Sequence, residues 1–231
     1  MTAPDPTLPE HVVRNRAAWD EWAPEYVPNG ERSWGLSPGA EKWGVWDIPE
    51  REVQLLPADL TGLDTIELGC GTAYVSAWLA RRGALPVGID NSEQQLATAR
   101  RLQTEHGLTF PLIHGNAETV PYPDASFDLA ISEYGASIWA DPHLWVPEAA
   151  RLLRPGGRLI FLIIATLLIL CMPDAERPAT NALLRPLPGL PRLDWSDPQP
   201  PTFPPHHGHR PPPLPPRPSA RRRRARRCPP G

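Results

Sequence analysis

The 231 residues suffice for one α/β domain with a large core plus extensions, and the formal net charge of −3 excludes a nucleic-acid binder that works through overall positive charge. Cys70, Cys171 and Cys228 are odd in number and scattered, giving neither a disulfide framework nor metal-ligand spacing, so no metal is expected. The start, Met-Thr-Ala-Pro-Asp-Pro, lacks a basic stretch followed by an apolar one; no secretory signal is expected, and the cytoplasm is the default compartment.

His11 to Tyr26 has the period of an amphipathic helix, with Trp19, Trp22 and Tyr26 on one face and Pro24 expected to kink or end it. Trp34, Trp43 and Trp46 follow in a stretch punctuated by Gly and Pro. Their rings can pack the helix on a sheet or hold a cation against aromatic faces. Asp64-Thr-Ile-Glu67-Leu-Gly69-Cys-Gly71-Thr-Ala73 then reads as a buried parallel strand, a tight turn and the start of a helix over 72–82. A second strand, Leu85 to Asp90, ends in an acid about 20 residues past the glycines, the spacing at which an acid reaches ribose hydroxyls. Ser92 is a helix cap, with Gln95 reaching back as in a capping box.

Phe110 to His114 and Phe127 to Ser132 are the third and fourth strands; Asn116-Ala117 follows the former and Glu133-Tyr134-Gly135 the latter. Asp141-Pro142 caps a helix over 142–153, with Pro147 expected to kink it or delay its start. Arg154-Pro-Gly-Gly157 should end that helix. The apolar run Leu159 to Met172 should be a central strand (158–165) running into a buried helix. A membrane span needs about 20 apolar residues, more than this run supplies.

The glycine turn and the two strand-end acids describe a nucleoside-binding βαβ unit. A dinucleotide fingerprint needs a third glycine where Tyr74 stands, and no Walker lysine is present. The turn is therefore poorly built for phosphates. An acid beside the glycines suits a ligand with a cationic part, such as the sulfonium and ammonium of S-adenosylmethionine.

Glu67-Leu-Gly-Cys-Gly71, Gly88-Ile-Asp90, Gly115-Asn116-Ala117-Glu118, Phe127-Asp-Leu-Ala-Ile-Ser132 and Leu153-Arg-Pro-Gly-Gly157 occur in order at domain-like intervals. Together, over roughly Trp19 to Met172, they resemble the class I S-adenosylmethionine-dependent methyltransferases, in the small-molecule branch. The resemblance implies a Rossmann-like, doubly wound α/β sheet in the order 3-2-1-4-5-7-6. It implies that residues 1–60 form a Trp-rich helical lid and 61–172 the cofactor-binding domain, which 173–196 partly continue. It further implies that Glu67, Gly69 and Gly71 hold the methionine end, Asp90 the ribose hydroxyls, Asn116 and Ala117 the adenine, that Glu133 lies near the methionine amino group, and that Asn91 also belongs to the cofactor site. The partner is a small-molecule methyl acceptor. The motifs identify no catalytic base: Tyr134, His114 and His143 are candidates by residue type alone. A different class of function, a non-catalytic cofactor-binding or interaction protein, stays open beside the enzyme.

Strands 6 and 7 of that fold should come from the last third of the chain, which does not supply them. From Asp197 the sequence is Pro-rich and closes with Arg221-Arg-Arg-Arg-Ala-Arg-Arg227. Such composition cannot pack a core and is expected to be disordered. It reads as an extension binding anionic surfaces or nucleic acid through arginine, as a ligand for a polyproline reader, or as a shifted reading frame of a GC-rich gene, in which case the enzyme would be truncated and impaired. Without strand 7 the apolar fifth strand becomes an edge, and a poorly soluble or partly molten protein is expected.

Overall fold

Apolar runs bounded by turn residues become the strands of a parallel sheet in the computed structural model, which describes residues 8–173 and 179–184. In chain order the elements are α1 (Glu10–Trp34), β1 (Lys42–Trp43), β2 (Ile48–Pro49), α2 (Glu50–Val53), β3 (Asp64–Leu68), α3 (Tyr74–Arg81) and β4 (Leu85–Asp90). There follow α4 (Glu93–His106), β5 (Leu112–His114), β6 (Phe127–Glu133), α5 (Ala136–Trp139), α6 (Pro142–Leu152), β7 (Leu153–Leu162) and α7 (Thr166–Cys171). β1 and β2 form a small antiparallel pair. The main sheet has the order β5-β4-β3-β6-β7, every pair parallel.

That order is the 3-2-1-4-5 part of the expected doubly wound fold. The chain winds from β3 outward through β4 and β5, then returns to the other side of β3 for β6 and β7. The reversal makes a switch point between β3 and β6, and a crevice at their carboxyl ends. Among the described residues no strand follows β7. The Pro- and Arg-rich tail, with Cys228, lies outside them.

Both faces of the sheet are covered. Alternation along β6 sends Ala130 to one face with Trp145 and Leu152, and sends Leu129 and Ile131 to the other with Val75 and Trp78. Trp34 and Trp43 are fully buried parts of the core. Gly30 lets α1 approach the glycine turn: a Cβ there would collide with the Thr72 side chain.

Local rules fail where tertiary contacts compete with them. α1 runs through Pro24 and Pro28 to Trp34. Along it, Asp20 accepts from the Ser92 hydroxyl (2.6 Å) and Glu31 pairs with Arg101 (2.7 Å) on α4, which holds the helix past the missing backbone donors. α6 likewise continues through Pro147, anchored by buried Trp145, Ala149 and Leu152. α3 starts at Tyr74, later than expected, because Ala73 takes a left-handed conformation to leave the turn. Ser92 caps α4 by accepting from the Gln95 amide, but Gln95 does not reach back; Asp90 accepts from the Ser92 amide in its place.

Arg154 to Gly157 does not lie beyond α6 as a terminator. It is an irregularity inside β7, which pairs Leu153 with Phe127 and Arg158 with Leu129. Arg154 there pairs with Asp64 (2.7 Å) and Asp128 (2.9 Å), tying the amino ends of β3 and β6. The run expected as a central strand and buried helix is neither. β7 has one strand neighbour among the described residues, and of α7 only Leu170 is buried. No helix among the described residues is long and apolar enough to cross a membrane.

Candidate functional site

The switch-point crevice collects carboxylates. Glu67, one residue before the end of β3, is buried at 3% exposure and accepts from both the backbone N–H (2.8 Å) and the hydroxyl (2.6 Å) of Ser76 on α3. Glu133 ends β6 and accepts from the Gly44 amide at 2.7 Å through Oε1, while its buried Oε2 has no partner. Between them runs the glycine turn. Gly69 has a φ of +73°, and a Cβ on it would collide with the backbone nitrogen of Ala136, so only glycine lets the two loops meet.

Asp90, at the end of β4, closes the other side. It accepts from the Gly71 amide (2.7 Å) and the Ser92 amide (2.8 Å). Next to it, Asn91 is engaged with α1: its amide donates to Val12 O (2.8 Å) and its oxygen accepts from Arg16 (3.0 Å). Asn116 and buried Ala117 follow β5. Asn116 lines a cleft of about 600 Å³ with Arg16, His114, Gly115 and Glu118. The structure thus brings Glu67, Gly69, Gly71, Asp90 and Glu133 together on adjacent strands. It sets Asn116 and Ala117 at the same edge of the sheet, and it turns the Asn91 side chain away toward α1.

The electrostatics favour a cation. Burial pushes Glu67 up to about 8, against the lowering effect of Ser76, and the nearby Glu133 and Asp90 add to the rise. Burial likewise pushes Glu133 up to about 7, against its bond from Gly44. Asp90 is raised by the same cause. The Cys70 thiol is pushed well up by burial and then by Asp90 and Glu67, so it is no nucleophile. Protonation relieves buried carboxylates of this kind; so does a positively charged ligand.

Residues 66–161 match the family model described as "Methyltransferase domain". This segment belongs to the class I S-adenosylmethionine-dependent methyltransferases. The chain is 32% identical over 138 residues to a demethylmenaquinone methyltransferase of Corynebacterium kroppenstedtii, covering 60% of this chain and 56% of that protein. It is 35% identical over 100 residues to a ubiquinone biosynthesis O-methyltransferase of Maricaulis maris, covering 43% and 39%. The chain thus spans about half or less of the length of these relatives. Among solved structures, the [4+2]-cyclase SpnF is similar at a TM-score of 0.50 and 26% identity, over 69% of this chain and 63% of that one.

The family's cofactor, S-adenosylmethionine, fits the donor set of this methyltransferase domain. An orphaned, buried carboxylate oxygen on Glu133 and the raised Glu67 and Asp90 suit a molecule carrying an ammonium and a sulfonium. Sequence reasoning missed the groups that hold these residues. Ser76 sits at the first turn of α3, where its proximity to Glu67 was inferable. Gly44 and His11 reach the site from 89 and 107 residues away, and no local pattern marks them. Of the three candidate bases, His114 bonds to the Asn91 carbonyl (3.1 Å) at the cleft and His143 is exposed on α6. Tyr134 alone adjoins Glu133, in a left-handed conformation (φ +54°) with its phenol toward Gly44.

Proposed function

We propose that the chain is an S-adenosylmethionine-dependent methyltransferase of a small, largely apolar acceptor, with the site residues in the roles given above. The observation that carries this reading is the buried Glu133 oxygen without a partner, on a carboxylate within electrostatic reach of Glu67. When bound, S-adenosylmethionine supplies an electrophilic methyl group on a sulfonium. Glu67 and Glu133 then balance its positive charges, Asp90 accepts from ribose hydroxyls, and Asn116 with the Ala117 amide takes the adenine edge. Displacement at the methyl group needs alignment above all, and positioning alone can supply about 7–11 kcal/mol. No residue is assigned as base.

The acceptor side of this reading rests on aromatic rings. Trp19 and Trp22 of α1 meet Trp139 of α5, with Trp19 5.2 Å from Trp139 at 90°, and Tyr26 packs on Trp19 at 5.0 Å. Tyr26 and Trp139 are exposed at the margin of this cluster, and α5 follows Glu133 and Tyr134 after one residue. Residues 1–60 act in this reading as a lid whose rings meet an apolar acceptor, consistent with relatives named for quinone methylation. A cytoplasmic location belongs to the same reading, with Cys70 and Cys171 both free thiols.

Calorimetric titration with S-adenosylmethionine and its demethylated product tests the cofactor assignment. Saturable binding is expected, weakened about 10- to 100-fold by Asp90→Ala, which removes charged hydrogen-bond acceptors. A folded chain that binds neither compound would defeat the reading. The likeness to a [4+2]-cyclase favours a second reading in which the cofactor is held without methyl transfer. It predicts binding with no transfer of a labelled methyl group to hydroquinone or catechol acceptors.

A further inference from the structure

Glu118 closes the quoted Gly115-Asn116-Ala117-Glu118 motif, yet none of the roles given so far uses it. Its side chain is 3% exposed and sits at a three-way junction. Oε1 receives the His11 ring of α1 (2.7 Å) and the Asp141 amide that begins α6 (2.8 Å). Oε2 receives the Asn116 side-chain amide at 3.3 Å, and the Glu118 backbone N–H donates to Asn116 Oδ1 at 3.1 Å. His11 and Asp141 together occupy one carboxylate oxygen and turn the other toward Asn116.

An asparagine amide has two nearly isosteric ends, one donor and one acceptor, and a free side chain presents either. Here the choice is forced twice. An ionised carboxylate only accepts, so it must meet the NH2; a backbone N–H only donates, so it must meet Oδ1. Turning the amide over would replace both attractions with a like-on-like clash. Oδ1 keeps a second lone pair, which is available to a donor in the cleft.

We propose that Glu118 is a positioning residue that makes the site selective for a 6-aminopurine by locking Asn116 with its oxygen as the acceptor. The inference rests on the reading above that Asn116 and Ala117 hold an adenine, and deepens it. The exocyclic amine of adenine donates, so only the locked orientation serves it. A purine lacking that amine forgoes the bond but keeps the ring nitrogen that faces Ala117. A glutamine at position 118 removes the carboxylate constraint and leaves only the weaker backbone one, which loosens the lock.

The experiment is calorimetric titration of the full chain with adenosine and with purine riboside, which lacks the exocyclic amine. S-adenosylhomocysteine serves as the check that the site binds at all. The unaltered chain should prefer adenosine about tenfold, the value of one good hydrogen bond. Glu118→Gln should lower that ratio to about two, and adding Asn116→Asp, whose carboxylate needs no lock, should restore it. His11→Ala should lower the ratio less than Glu118→Gln does, because the Asp141 amide still holds Oε1 and the carboxylate still faces Asn116. A purely structural Glu118 would weaken both ligands equally in Glu118→Gln; an unchanged ratio in that folded variant, or no restoration by Asn116→Asp, overturns the proposal. A second measurement needs no variant: exchange of the Asn116 side-chain amide protons should be slower than that of exposed Asn29, and equal rates overturn the lock. If the unaltered chain binds none of the three ligands, the functional reading falls, and this proposal with it.

Discussion

β3 and β7 are both apolar strands of one parallel sheet, and they end up in opposite circumstances. β3 has a strand on each side, and Ile66 and Leu68 are fully buried. β7 has a strand on one side among the described residues; Phe161 is 48% exposed, as is Ile163 just after it at 47%. The more continuous apolar run is the less buried one. Burial is decided by neighbours, and the interior strand is also the one that carries chemistry, since the low polarity around β3 is what disfavours the charge on Glu67.

Truncating the interior strand tests that contrast most directly. Leu68→Ala should cost about 2–5 kcal/mol, the range for a large-to-small change at a site that cannot collapse. Denaturant unfolding measures it, and a cost below about 1 kcal/mol would mean that β3 is not the packed centre it looks.

A pH-dependent effect comes from the charge that β3 and β6 keep buried. The folded values of about 8 for Glu67 and about 7 for Glu133 stand above their ordinary value of 4.5. The folded chain therefore binds more protons than the unfolded one between roughly pH 4.5 and 8. For these two groups stability is fully present below about pH 4.5 and declines across the window until pH passes 7 and 8, by several kcal/mol as an order of magnitude, at ~1.4 kcal/mol per pH unit for each group. Unfolding followed from pH 5 to 8.5 should show the decline, and Glu133→Gln should flatten part of it. The same logic gives the ligand a sign. A cation in the crevice favours the ionised carboxylates, so S-adenosylmethionine should release protons on binding near pH 7, more than its uncharged-sulfur product does. Titration in two buffers of different ionisation enthalpy reads that release; proton uptake would contradict the placement of the cation beside Glu67 and Glu133.

What the sequence made legible follows the range of the interactions. The Glu67-to-Gly71 turn and Asp90 could be read because strand, turn and helix are neighbours in the chain, and a strand-end acid stays at the strand end. The five-strand order came only with the family resemblance. The Gly44 amide on Glu133 and the His11 ring on Glu118 could not be read, because both join segments that no local rule connects. The errors share that origin. Pro24 and Pro147 should break helices by local rules, but partners outside each helix hold it together. Gln95 was paired with Ser92 by a local motif, whereas Asp90, fixed by its strand, supplies that bond.

The edge strand gives the smallest change in stability. A hydrophobic edge invites pairing with another chain, and a charged residue there is how sheets commonly block it. Ile163 is half exposed, so Ile163→Lys should change unfolding free energy by less than about 1 kcal/mol, as surface substitutions do. It should nevertheless reduce light scattering on concentration or heating. The two readouts separate because aggregation depends on the open edge, whereas stability depends on the buried interior. A loss of several kcal/mol on Ile163→Lys would mean that chain beyond β7 covers this edge in solution. The contrast with β3 would then be one of degree. A sharp, reversible melt of the unaltered chain as a soluble monomer would point the same way, against the aggregation expected of an exposed β7.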